Sequence, residues 1–330
     1  MKEIALGPAR VFPFGLVVAL SLAAGVCWSR KDARDPRERK ALELFWLMAL
    51  PLGTLLAHVG YCLCSMDMLA DSEGAMLLDF TGGGYLLYGA VAGAFLSLPL
   101  ACRRAGVSPA ELADRLAGPF LLLGAACALG EGLIGAGAGW MVEDWFQPEN
   151  SMSLFASPEP EGLIAFFSRF PFAVRDPFYD YMAWAVFLPM AAVMLLGLTG
   201  LRKRPAGRGD RALFSLSWYA AARVFYESLR QDDIPKWGFV RVNQILSAVA
   251  LVAVMICVFC RAGRVRPGRI VQLLGGALLV LLMEFALEKK INMLDWMTMD
   301  LCYLVSAVGC VLLFLGARPS ASSGAGGGKA

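Results

Sequence analysis

Residues 41–64, ALELFWLMALPLGTLLAHVGYCLC, hold a single carboxylate, Glu43, and a single histidine, His58, in an otherwise apolar run. An α-helix rises about 1.5 Å per residue, so a run of about 20 residues spans roughly 30 Å of hydrocarbon. The flanks differ in sign. Arg30, Lys31, Arg34, Arg37, Arg39 and Lys40 precede the run, and Asp67, Asp71, Glu73 and Asp79 follow it. A basic end and an acidic end orient a membrane span with its basic side in the cytoplasm.

The pattern repeats along the chain. Further apolar windows begin near Val11, Gly84, Ala117, Met182, Ala212, Val240, Ile270 and Met297. With the first run they make nine spans. Arg103, Arg104 and Arg115 mark the third connection, Arg202, Lys203, Arg204, Arg208 and Arg211 the fifth, and Arg261, Arg264, Arg266 and Arg269 the seventh. Odd-numbered connections are therefore basic, which places the N-terminus outside and the C-terminus in the cytoplasm. The first window follows a weakly basic start but lacks a small-residue cleavage site, so it reads as a retained span. The expected fold is all-α, a polytopic transmembrane helical bundle.

Composition agrees with this architecture. Of the 330 residues 58% are hydrophobic and 17% charged, and the mean hydropathy is positive, far from a soluble domain. The net charge of +3 is small and dispersed, which gives no reason to expect a nucleic-acid partner. Nine cysteines lie mostly inside apolar runs without clustered histidines, so no metal site is expected. The fourth connection, residues 140–176, is rich in aromatics and reads as an external arm at headgroup level. Residues 318–330 are Gly, Ser and Ala-rich and read as a disordered cytoplasmic tail.

Ionisable groups at membrane depth mark function or internal pairing. Tyr219, Arg223, Glu227 and Arg230 fall on one face of the sixth span by helical spacing. Two readings stand: an Arg223–Glu227 pair with Arg230 reaching the interface, or two guanidiniums forming a phosphate site by their fork geometry. Glu131 lies in the run Gly130 to Gly139, where small residues allow tight packing or a helix break, and its carboxylate is a candidate proton acceptor. Gly82, Gly83 and Gly84 open the third span as a flexible entry or as free amides for an anion. His58, near the outer end of its span, is a packing residue or a catalyst. Glu284, Glu288 and Asp300 are less clustered and read as structural.

The stretch Tyr219 to Asp232, YAAARVFYESLRQD, followed by Asn243-Gln244-Ile245-Leu246-Ser247, resembles the penultimate-helix signature of the prolipoprotein diacylglyceryl transferases. Gly83 through Ala90 resembles that family's Gly-Gly-Leu-Ser-Phe-His-Gly-Gly segment, Asp114 to Pro119 with Gly124 its Asp-x-x-Ala-Pro run, and Tyr179-Asp180 its Leu-Tyr-Glu element. Tyr88 stands where the family has a functional His, and Ala128 to Leu133 where it has Gly-Arg-x-Gly-Asn-Phe. The resemblance covers residues 12–262 and implies a seven-span core over 1–262, with residues 263–317 an added two-helix hairpin. It implies a multi-pass protein of the bacterial inner membrane that moves a diacylglyceryl group from phosphatidylglycerol to a cysteine of an exported prolipoprotein, without a cofactor. The residues it points to for the substrate are Arg223, Arg230, Tyr219, Gly83, Gly84 and Gln244. Those for the chemistry are Glu131, Tyr88 and Glu227. A lipid-binding or accessory homologue with altered chemistry is the alternative, and a small-solute transporter a more distant one.

Overall fold

The computed structural model describes residues 4–6, 9–80, 84–133, 137–141, 173–175, 182–202, 207–230, 236–237, 240–262, 267–287 and 299–319. Its long helices fall at the nine expected windows: α1 (Pro13–Asp32), α2 (Pro36–Cys64), α4 (Leu87–Ala105), α5 (Pro109–Leu133), α6 (Phe187–Arg202), α7 (Asp210–Leu229), α8 (Val242–Ala262), α9 (Pro267–Leu287) and α10 (Met299–Ala317). A short helix α3, Met66–Asp71, sits between α2 and α4. Among the described residues five helices are long and apolar enough to cross a membrane: α1, α2, α5, α8 and α9. α4 and α7 have comparable length but are less apolar, and α6 is shorter.

Two helices start earlier than their apolar windows because the start signals are polar. α2 begins at Pro36, with the Asp35 carboxylate accepting from the Glu38 amide at 2.7 Å and Glu38 accepting from the Arg34 amide at 2.7 Å. Proline at the first helical position lacks only an N–H that would have no partner anyway. α5 likewise starts at Pro109 instead of Ala117, which puts Asp114 and Arg115 on a helix rather than in a connection.

Among the described residues three small antiparallel sheets, which hydropathy did not signal, accompany the bundle. β1 (Ile4–Leu6) pairs with β2 (Ala9–Val11), β3 (Ala138–Met141) and β4 (Ala173–Arg175) flank β5 (Met182–Ala185), and β6 (Lys236–Trp237) pairs with β7 (Val240–Arg241). They occupy the segment before α1, the α5–α6 connection and the α7–α8 connection. With alternating helix directions, all three lie at one end of the bundle. Of the arm expected over 140–176, residues 142–172 and 176 lie outside the described residues, as do residues 320–330 of the expected tail and Gly82, Gly83, Tyr179, Asp180 and Glu288.

The burial pattern is that of a bilayer protein. Leu47, Val271 and Leu274 are about 70% exposed, whereas His58, Glu227 and Arg230 are almost wholly buried. Apolar side chains face out to lipid and polar groups pair inside. Close helix contacts rest on glycine: a Cβ on Gly93 of α4 would lie 2.6 Å from the Gly53 Cα of α2, so no larger residue fits there.

α7 is the central helix. Phe214, Tyr219 and Tyr226 pack with Leu121 and Ala125 of α5 and Met190 and Met194 of α6. Its other side, Ala220, Ala221 and Val224, packs with Leu251 and Val254 of α8 and with Val280 of α9 and Leu313 of α10. A helix enclosed this way has no water for its polar side chains. They must find partners on the helix itself or on its neighbours.

Candidate functional site

Arg223 and Glu227 are one turn apart on α7, and their side chains meet at 2.6 Å. Arg230 is the residue at which α7 ends, with extended backbone. Its Nη1 lies 3.7 Å from the same Glu227 oxygen. Helical spacing accounts for these contacts. The fourth member arrives from another helix. Glu131, near the end of α5, places Oε1 3.3 Å from Arg223 Nη2 and Oε2 3.0 Å from Arg230 Nη1.

Two guanidiniums and two carboxylates thus form a quartet whose four formal charges sum to zero. Burying an ion pair costs several kcal/mol per ion unless further hydrogen bonds complete it. Those bonds are present: the Tyr226 phenol donates to Glu131 Oε2 at 2.8 Å, and the Asn243 amide donates to Glu227 Oε1 at 3.0 Å. Both guanidinium carbons also lie over the Tyr226 ring, at 4.9 and 5.1 Å from its centre, within cation–π range. Two buried atoms of the quartet, Arg223 Nε and Glu227 Oε2, have no hydrogen-bond partner among the described residues. Glu131 is the most accessible member, its side chain 17% exposed against 8% for Arg223 and 1% for Arg230.

Further hydrogen bonds fix the corner between α7 and α8. Arg241 Nη2 donates to the Arg230 carbonyl at 2.6 Å. Gln244 accepts from the Arg241 amide at 3.0 Å and donates to Ser228 at 3.1 Å and to Glu284 of α9 at 2.9 Å. Glu284 also accepts from the Ser228 hydroxyl. Tyr88 donates to Ser247 at 2.7 Å, and Ser247 donates to the Asn243 carbonyl at 2.6 Å. The Tyr219 ring stands edge-on to Tyr88 at 5.7 Å.

Of the residues singled out from sequence, Arg223, Arg230, Glu227 and Glu131 are in direct contact, and Tyr88, Tyr219 and Gln244 adjoin them. Gly84 is elsewhere. Its carbonyl lies 3.2 Å from His58 Nδ1, while His58 Nε2 lies 3.0 Å from the Met76 carbonyl. The histidine, fully buried, therefore pins the α2–α4 connection to α2. Gly84 has φ +75°, and a Cβ there would strike the Tyr61 ring. Gly83 is outside the described residues.

Sequence reasoning did not single out Tyr226, Asn243, Arg241, Ser247 or Ser228 as site residues, and it read Glu284 as structural. Tyr226 carried a usable signal, since it lies within one turn of both Arg223 and Arg230. Asp114 was also unassigned. Its oxygens accept from the backbone amides of Gly209 at 2.7 Å, Arg211 at 2.9 Å and Ala212 at 3.0 Å, so α5 caps the N-terminus of α7 from outside.

The chain matches the prolipoprotein diacylglyceryl transferase family over residues 3–260. Among curated proteins it is similar to the phosphatidylglycerol–prolipoprotein diacylglyceryl transferase of Listeria monocytogenes, 24% identical over 80% of this chain and 90% of that protein. The enzymes of the same name from Lysinibacillus sphaericus (25% identical, 79% of this chain and 92% of that protein) and Lactiplantibacillus plantarum (27%, 74% and 83%) are similar too. The match stops at the end of α8, so α9 and α10 lie beyond it. An interior set of arginines and carboxylates within an apolar helical bundle, on the very stretch that carries the signature, accords with that match: the chain belongs to the prolipoprotein diacylglyceryl transferase family.

Proposed function

We propose that this chain transfers the diacylglyceryl group of phosphatidylglycerol to a cysteine thiol of an exported prolipoprotein, at the outer face of the inner membrane. The observation that carries the reading is the placement of Glu131. Two buried guanidiniums converge on this carboxylate at the accessible edge of the quartet, where an incoming phosphate would find the same donors. Glu227, with almost no exposure, is the permanent counter-charge. Glu131 is the exchangeable one.

The reaction follows from that exchange. The lipid phosphate takes the donors of Arg223 and Arg230, whose planar forks suit an oxyanion. Glu131, released from its ion pairs, becomes a better base and takes the thiol proton. The thiolate attacks the glyceryl carbon bonded to the phosphate oxygen. A C–S bond forms, the C–O bond breaks, and glycerol phosphate leaves with the electron pair, its charge held by the two guanidiniums. The proton on Glu131 passes to the departing phosphate. Tyr88 and Ser247 hold Asn243 and, through it, Glu227.

The test is transfer from phosphatidylglycerol to a peptide bearing a prolipoprotein cysteine site, in proteoliposomes. Arg223→Ala is expected to lower kcat by about 10²- to 10³-fold, the loss seen when one donor to a developing oxyanion is removed. Unchanged transfer in that variant sinks the site.

A second reading has its own observation. Glu131 lies in the segment that stands in place of the family's Gly-Arg-x-Gly-Asn-Phe, and the resulting quartet is neutral. In this reading the chain is a lipid-binding or accessory homologue. Complementation of cells depleted of their own transferase separates the two, since only an active enzyme restores lipoprotein modification.

A further inference from the structure

A cavity of about 550 Å³ opens at the other end of the bundle, between the ends of α1, α5, α6 and α7. Lys31, Arg115, Arg202 and Arg211 line it, together with Asp32 and Asp114. Cations at the basic end of a membrane protein need no ligand when they stand in water. This set is different in two respects. Asp114 spends both oxygens on three backbone amides of α7, Asp32 accepts from the Trp28 indole at 2.9 Å, and Arg115 is matched by Glu38 at 3.4 Å. Among the described residues no carboxylate pairs with Lys31, Arg202 or Arg211. Moreover, Arg115 Nε and Arg211 Nε are buried without a hydrogen-bond partner among those residues, a state that is costly when nothing fills it.

The remaining wall is apolar. Trp28, Leu198 and Leu201 line the same cavity, with Trp28 and Leu198 half-buried and Leu201 buried. A cationic mouth over an apolar wall is complementary to an amphiphile whose headgroup is negative.

We propose that this cavity binds an anionic phospholipid of the leaflet at the basic end, its phosphate held by Lys31, Arg202 and Arg211 and its chains along Trp28, Leu198 and Leu201. It is a different site from the quartet. Arg211 and Arg223 lie on one helix, and at about 1.5 Å per residue they are about 18 Å apart. The bound lipid ties the ends of α1, α5, α6 and α7 together at the point where α7 receives its cap.

The experiment measures lipid binding to the full chain in detergent by native mass spectrometry and by thermal midpoint. The probes are dioleoylphosphatidylserine, dioleoylphosphatidylcholine and inorganic phosphate. Phosphatidylserine is expected to bind and raise the midpoint, and the other two are not. Arg202→Glu, at an exposed position that folding tolerates, and Arg211→Gln should each weaken phosphatidylserine binding about fivefold or more, the share of one cation near an anionic headgroup. Arg103→Gln, at an exposed position on α4 that does not line the cavity, should leave that affinity unchanged. Equal binding of phosphatidylcholine overturns the proposal, as does wild-type affinity in both Arg202→Glu and Arg211→Gln. Equal stabilisation by inorganic phosphate reduces the cavity to an anion site without lipid and overturns it too. Equal weakening in Arg103→Gln would show a diffuse attraction of anionic lipid to the basic end without a site, and the proposal would fall with it.

Discussion

Glu131 is the one charge of the quartet that α7 does not carry: it reaches Arg223 and Arg230 from the end of α5. The Arg223–Glu227–Arg230 face was legible because one helix imposes its own spacing. That Glu131 needs a partner followed from the cost of an isolated buried charge. Which partner could not follow, since Arg223 is 92 positions away and no local periodicity relates residues on different helices. The quartet makes a distinctive prediction for Glu131→Gln. Removing one negative charge leaves two guanidiniums facing one carboxylate, so an anionic lipid should bind more tightly. Loss of the base should at the same time lower kcat by about 10²- to 10⁴-fold. A joint fall in KM for phosphatidylglycerol and in kcat, measured in proteoliposomes, is the expected result. A rise in KM would mean that Glu131 helps to hold the lipid instead of yielding to it. Tyr226→Phe keeps the ring beneath both guanidiniums and removes only the phenol–Glu131 bond. It should cost about 1.5–3 kcal/mol of stability, as for a hydrogen bond to a charged group, read from a reversible denaturation curve in detergent.

At the scale of helices, hydropathy located spans well and their ends poorly. It registers what contacts lipid, whereas helix ends are set by caps, so Pro36 and Pro109 lie outside the apolar windows their helices belong to. The cap of α7 was invisible for a related reason: the residue that supplies it, Asp114, belongs to α5. Asp114→Ala should lower stability by about 1–2 kcal/mol, as at other N-caps, and Asp114→Asn by less because an acceptor remains. A thermal scan of the two variants in detergent gives the order. The hairpin of α9 and α10 poses a different question, since removing it from a bilayer exposes Ala221, Val224 and Phe225 to lipid and not to water. Lipid tails are as apolar as the helices they replace, so little hydrophobic free energy is lost. What is lost is packing, and the Glu284 acceptor of Ser228 and Gln244. A chain ending at Ala262 should therefore assemble in the membrane, yet show faster amide hydrogen exchange around Ser228 and Arg241. Glu284→Ala should reproduce part of that loosening and Glu284→Gln, which keeps an acceptor, much less. Unchanged exchange in the shortened chain would mean that the corner is held without the hairpin.

For the molecule as a whole, the decisive relation is between parity and charge. The nine long helices among the described residues put the two termini on opposite sides if every one of them crosses, and the basic connections decide which side is which. The strands add a consistent asymmetry, since β1 to β7 gather at the end away from Arg34, Arg103 and Arg208. That end also holds the quartet, because Arg230 closes α7 where the α7–α8 strands begin. Orientation therefore determines which leaflet the arginines serve, and with it whether a thiol emerging from export can reach them. Alkaline phosphatase, active only outside the cytoplasm, reads this directly when fused at successive points. Fusions after Ala262 and after Ala317 should be inactive, because seven and nine spans return the chain to the basic side. A fusion after residue 290 should be active, because eight spans do not. The three together separate the alternatives: activity after Ala262 reverses the whole bundle, whereas inactivity after residue 290 alone means that α9 lies in the membrane without crossing it. In the first case the quartet faces the cytoplasm and the transfer reaction loses its acceptor. In the second the core keeps its orientation, and only the role of the hairpin changes.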